Sequence, residues 1–202
     1  MKKILLLAVL ALALPMTVFA GSSVDYTNSG GTLSGSSSGL TLTGSTLIAV
    51  NGLNGGGLIT GTDLGSVSFT TGALTSGSLQ MGGTFAAGGS FSIWGNGTNG
   101  VPNGTLFTGS FNGPVTWTLV TLANGTHNYT LTGSLSGWTA SGASTVGVTV
   151  QLTINTGKGF FNGSTTISSG DTNIVVPEPG SLGLLGTGLI GLAGVVRRKL
   201  KS

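Results

Sequence analysis

The stretch VTWTLVTLANGTHNYTLTGSL, residues 115–135, decides the fold class. Val115 to Leu122 and Thr126 to Leu135 are two runs rich in β-branched and aromatic residues. Between them lies Asn124-Gly125, a pair that tolerates positive φ and is the strongest short-range hairpin signal. A two-residue loop there pairs Val120 with Tyr129 and Thr118 with Leu131 on one face. On the other face Leu119 meets Thr130 and Trp117 meets Thr132, the kinds of cross-strand pair that stabilise a sheet. Downstream, Val146, Val148, Val150, Leu152 and Ile154 alternate with Gly147, Thr149, Gln151 and Thr153, the period of a strand with one buried and one wet face.

Asn-Gly recurs at Asn51, Asn54, Asn96, Asn99, Asn103, Asn112 and Asn162, and helix-period segments are confined to the two chain ends. Many short strands joined by Gly-rich turns imply an all-β, Gly-rich antiparallel sandwich or barrel. A solenoid would need a fixed repeat length, which the sequence lacks, and a sandwich is the expected form. The chain has 202 residues with 39 Gly and no Cys, so any core must hold without disulfides. Its mean hydropathy of +0.43 and scarcity of charge oppose disorder, which pairs low hydrophobicity with high charge. Residues 21–46 are poorest in large side chains and read as a flexible Gly/Ser-rich lead or edge strands. Residues 47–175 read as the β domain, its better-formed core after Phe85, where aromatic residues concentrate.

The two ends are of another kind. Lys2 and Lys3 precede the apolar run Ile4 to Leu14, Pro15 breaks it, and Val18-Phe19-Ala20 supplies small-residue cleavage chemistry. Residues 1–20 therefore read as a secretory signal peptide cut between Ala20 and Gly21; the run is short for a permanent span. At the other end Val176-Pro177-Glu178-Pro179-Gly180 leads into an apolar stretch and then Arg197-Arg198-Lys199. Each proline fixes its own φ and biases the residue before it to an extended form, so residues 176–180 are an extended peptide. Residues 181–196 fit a short transmembrane helix, with Gly183, Thr187 and Gly191 at four-residue spacing along one small-residue face. Residues 197–202 are a basic stop. Read from its residues alone, this tail also fits a permanent anchor.

Residues 176–202 resemble a PEP-CTERM sorting signal, the tail recognised by exosortase-type membrane transpeptidases in Gram-negative bacteria that make exopolysaccharide. Pro177-Glu178-Pro179 matches the tripeptide, and the apolar stretch and basic cluster match in position. The resemblance implies a chain cut near Pro177 to Pro179, its helix discarded and the rest released or attached at the cell surface. The implied partners are the secretion machinery, the exosortase-type enzyme, and the inner membrane before processing.

These ends also explain the charge. Six of the seven basic residues lie in them, so from Gly21 to Val176 only Lys158 opposes Asp25, Asp63 and Asp171, a net charge of −2. Phosphate-driven binding needs clustered Lys and Arg, which excludes nucleic acid as a partner.

Catalytic patterns are weak. Gly35-Ser36-Ser37-Ser38-Gly39 fits G-x-S-x-G without the strand and helix a nucleophile elbow needs. Gly95-Asn96-Gly97-Thr98-Asn99-Gly100 fits G-x-G-x-x-G, but Val101-Pro102 follows where the phosphate-binding helix should start. His127, the only histidine, is expected opposite Leu122 as a solvent-facing or loosely packed strand residue. Three scattered Asp residues suit neither a metal cage nor a carboxylate pair. The reading is a non-enzyme with no cofactor and no metal. An exported structural protein of the cell surface or extracellular matrix is expected; the alternative is an exopolysaccharide-binding module using Trp94, Trp117 and Trp138 as a stacking surface.

Overall fold

The structure is a computed structural model that describes residues 22–176. The signal peptide expected at residues 1–20 and the sorting tail beyond Val176 lie outside the described residues. The chain forms β1 (Ser22–Ser29), β2 (Thr32–Ser36), β3 (Gly39–Asn51), β4 (Ile59–Thr70), β5 (Leu74–Ser78), β6 (Gly82–Phe85) and β7 (Gly88–Asn96). It continues with β8 (Asn103–Phe111), β9 (Val115–Thr121), β10 (His127–Thr139), β11 (Ser144–Asn155), β12 (Ser164–Thr166) and β13 (Ser169–Val176). A single 3-10 turn, Leu53–Gly55, interrupts the strands between β3 and β4.

The sheet closes on itself. Its neighbours run β1-β3-β4-β7-β8-β10-β11-β13 and return to β1, an eight-stranded antiparallel barrel and not the sandwich the sequence favoured. The reason is β13, which hydrogen-bonds to β11 on one side and β1 on the other, so the last strand seals the first. Closure removes the two long edges that the eight low-charge staves would otherwise expose to self-association, leaving, among the described strands, only the short β5 and β12 with a free side.

Two long strands carry additional ones. β3 shares one edge between β1, along Thr46–Asn51, and β2, along Gly39–Thr43. β10 likewise pairs β8 through Leu135–Thr139 and β9 through His127–Thr132. From these forks β12 joins β2, while β6 and β5 extend from β9.

The alternation read in residues 146–154 holds in β11 from Val148 onward: Val148, Val150, Leu152 and Ile154 are buried, and Thr149 and Gln151 are exposed, whereas Val146 is exposed because a bulge at Gly147 (φ 76°) shifts the register between Leu135 and Ser136 of β10. An eight-stranded barrel has an interior just wide enough to be filled by side chains. Here Phe69 and Phe91 stack with centroids 5.9 Å apart, and Phe111 meets both edge-on. The Phe111 ring occupies the space over Gly133, where an added Cβ would come within 2.7 Å of it. With apolar side chains inside and Ser and Thr outside, the barrel has the reverse of the pattern that faces lipid in a membrane-spanning barrel. Among the described residues no helix is long and apolar enough to cross a membrane.

The hairpin of residues 115–135 forms with a different register. Leu122 N–H donates to the Thr126 carbonyl at 2.8 Å, and Gly125 N–H to that of Leu122 at 2.9 Å. The loop is therefore three residues, Ala123 to Gly125, with Gly125 at φ 80° in the left-handed region where a three-residue hairpin needs glycine. Trp117 pairs with Leu131, Leu119 with Tyr129 and Thr121 with His127, one residue from the two-residue-loop register. A one-residue slip exchanges faces, and the register adopted places Trp117 and Tyr129 together on the buried side.

Residues 21–46 also differ from expectation. β1 is a barrel stave with Val24 and Tyr26 buried, and Leu33, Leu40 and Leu42 are fully enclosed. The boundary expected after residue 46 falls inside β3, and the core runs from Val24 to Ile174, drawing buried residues from both sides of Phe85. Ser and Gly in this segment give it a loop-like composition, yet one buried apolar residue on every second position suffices when both strand edges are paired.

Close strand approach sets a limit at Gly65. It sits at φ 147°, and a Cβ there would run into the Trp94 carbonyl of the neighbouring strand. Gly65→Ala should destabilise the barrel by at least about 2 kcal/mol, through backbone strain and a parted β4–β7 ladder. Denaturant titration of the two proteins checks this; equal midpoints would contradict the register.

Candidate functional site

Three places collect the chemistry of the described residues: the barrel end where β1 begins and β13 ends, a groove on the outer wall, and the tryptophans. The first follows from topology. Every pairing from β1 through β3, β4, β7, β8, β10 and β11 to β13 is antiparallel, so β13 runs opposite to β1. The start of β1 at Ser22 and the end of β13 at Val176 thus lie at the same end of adjacent staves. The expected signal cleavage at Ala20 and Gly21 sits just before β1. Val176, first residue of the expected motif, is the last residue of β13, and Pro177, Glu178 and Pro179 follow without a linker. Arg197, Arg198 and Lys199 lie outside the described residues.

The groove, with a volume of about 580 Å³, crosses the outer faces of β9, β10, β11 and β13. Thr116, Thr132, Ser134, Thr149, Gln151 and Asp171 supply hydroxyl, amide and carboxylate groups to its wall. Closure brings Asp25 of β1 beside Asp171 and Asn173 of β13, a carboxylate pair that residues 146 positions apart conceal in the sequence. Partial burial and the Asp171 charge raise the Asp25 carboxyl above its ordinary value of 3.8, and a hydrogen bond with Asn173 offsets part of this.

The tryptophans divide. Trp117 is 1 % exposed, donates its Nε1–H to the Leu79 carbonyl at 2.9 Å, and stacks on Tyr129 at 4.9 Å. Tyr129 donates its hydroxyl to the Gln80 carbonyl at 2.6 Å and accepts from Phe161 N–H at 3.1 Å. With no free face, Trp117 cannot serve the glycan contact expected of it. Trp94 and Trp138 are 48 % and 57 % exposed and share the outer face of the wall on either side of β8, next to Thr105 and Thr108 respectively.

His127 is neither solvent-facing nor loosely packed. It is 8 % exposed, stacked on Phe160 with centroids 4.3 Å apart, and its Nδ1 lies 3.1 Å from the Gly159 carbonyl. Its strand neighbour is Thr121 and not Leu122. The side chain packs one corner of the barrel and has no Ser or Asp partner among the described residues. Among those residues no group of three His, Cys, Asp or Glu could hold a metal ion.

Residues 175–199 match the PEP-CTERM protein-sorting motif. The match covers the C-terminal tail alone and starts inside β13. It implies an exported protein that exosortase sorts to the cell surface. No curated protein and no solved structure matches the chain.

Asp25 makes the pH dependence of stability testable. Its folded-state value lies above the unfolded one, so through that window the folded form holds the extra proton. Stability therefore falls as pH rises through the window, and the deficit persists above it. Asp25→Asn should raise the thermal midpoint at pH 7 and flatten the change between pH 3.5 and 7. A variant melting lower than the parent at pH 7 would reverse this sign.

Proposed function

We propose that the protein is a non-catalytic structural component of the cell surface or extracellular matrix, delivered as a folded barrel and trimmed at its C-terminal motif. The observation that carries this reading is the position of the motif. It is continuous with the strand that seals the barrel, so the handle gripped by the enzyme is joined directly to a completed domain. Cleavage near Pro177 to Pro179 would remove the apolar helix and leave β13 whole. The mature barrel then carries one basic and three acidic residues over residues 21–176, and its outer Ser and Thr faces suit a hydrated matrix.

Processing supplies the first test. In the native cell Glu178→Ala should leave a full-length precursor in the membrane fraction, while the parent migrates as the shorter form. Identical migration and partitioning of the two would count against enzymatic reading of the motif.

A second reading, exopolysaccharide contact, draws on the outer groove, whose apolar floor is flanked by hydroxyl, amide and carboxylate groups. Along β10 its hydroxyl wall at Thr132 and Ser134 continues through Ser136 to the exposed Trp138. A sugar ring stacked on an indole with hydroxyl and amide partners alongside is a familiar mode of recognition. On this reading Trp138→Ala should weaken retention on the organism's own polysaccharide by about tenfold, the loss of one stacking contact worth ~1.4 kcal/mol. Retention equal to the parent's would remove it.

A further inference from the structure

Among the described residues, five of the nine exposed large hydrophobic side chains gather at the barrel end from which the sorting tail leaves. Trp94 is two residues from the end of β7, Trp138 one from the end of β10, and Val146 two from the start of β11. Val175 is the penultimate residue of β13, and Leu58 immediately precedes β4. Because the barrel is antiparallel throughout, all of these strand ends lie at the end occupied by Ser22 and Val176. The register ties the members together: Val146 pairs with Ser136, two residues before Trp138, and Trp138 and Trp94 flank Thr108 and Thr105 on the outer face.

Charge is sparse at the same place: its exposed carboxylate is Asp63 of β4, which accepts a hydrogen bond from Asn96. The loops that cap this end, residues 52–58, 97–102 and 140–143, contain no Asp, Glu, Lys or Arg. The other exposed hydrophobics, Met81, Val120, Leu122 and Phe160, belong to the segments around β5, β6, β9 and the β11–β12 loop, and include no tryptophan.

The tether limits what this end can meet. Between Val176 and the apolar stretch beginning at Leu182 stand five residues, Pro177 to Ser181. Fully extended, they reach at most about 18 Å. The headgroup layer itself is about 5–7 Å deep on each side of the hydrocarbon. A barrel fastened by its end so near the bilayer has no other apolar surface within reach, and tryptophan favours the headgroup level, where its ring is buried and its N–H hydrated.

We infer that the precursor rests its tail-bearing end on the bilayer, with Trp94, Trp138, Val146, Val175 and Leu58 in the headgroup layer, until cleavage releases it. This rests on the tail being a membrane anchor, as the sorting reading requires. The seated barrel holds the Pro-Glu-Pro peptide at the membrane surface, at the depth of an enzyme embedded there. After release the same rim is uncovered, which makes the contact specific to the precursor.

The test uses the full chain, made in a host lacking exosortase and reconstituted into phosphatidylcholine and phosphatidylglycerol vesicles with brominated acyl chains. The chain should float with the vesicles, and bromolipid should cut its fluorescence roughly twofold, since two of the three tryptophans touch lipid. In the Trp94→Phe, Trp138→Phe double variant the remaining Trp117 emission should be insensitive to bromolipid. Circular dichroism like the parent's would exclude misfolding, as both rings replaced are exposed. A chain that floats but is quenched only by aqueous iodide overturns the inference and leaves the sorting reading intact. Protection from iodide only on adding the native polysaccharide, without bromolipid quenching, overturns it in favour of glycan contact. A chain that does not float overturns both the inference and the anchor on which it rests.

Discussion

The ladder between β13 and β1 is the contact on which the remaining architecture depends. Without it the sheet would have two long free edges in a domain almost devoid of the charged residues that ordinarily protect them. With it, the interior becomes a closed space that phenylalanine, leucine and valine can fill, and Asp25 is brought to Asp171. The same contact places the two chain ends side by side, so a polypeptide secured at both ends to one membrane could still complete its fold.

Glycine serves this closure through space as much as through flexibility. At Gly133 it leaves room for the Phe111 ring, and at Gly65 it lets two backbones come closer than a Cβ permits. Large rings set against residues without side chains allow a small barrel to reach core density with few aromatic residues. The outward positions are then free to be Ser and Thr, whose hydroxyls bond to water and to neighbouring strands at little cost. That division yields a chain with positive mean hydropathy and a polar exterior.

Much of the class and address was legible in the residues. Asn124-Gly125 marked a hairpin, the alternation from Val146 to Ile154 marked a strand with a buried face, and Pro177-Glu178-Pro179 with its apolar and basic sequel marked the sorting tail. Register and closure were not legible. A two-residue and a three-residue loop fit the same Asn-Gly pair, and only the burial of Trp117 against Tyr129 selects the longer one. Nothing local states that β13 meets β1, because pairing between the first and last strands is written in no neighbouring residues. For that reason the Ser/Gly-rich lead resembled a loose segment, and Asp25 and Asp171 passed for isolated charges. The tryptophans illustrate a related limit: three identical residue types, all on strands in the structure, divide into one core residue and two surface residues by strand parity alone.

Closure is accordingly the claim to test most directly, and amide hydrogen exchange in the full chain does so residue by residue. The amides of residues 23–28 and 170–175 should be protected to the same degree as those of the β10–β11 ladder, since a sealed barrel opens as one cooperative unit. Exchange in β1 and β13 that is much faster than in β10 and β11 would mean two frayed edges, an open sheet, and chain ends free to part.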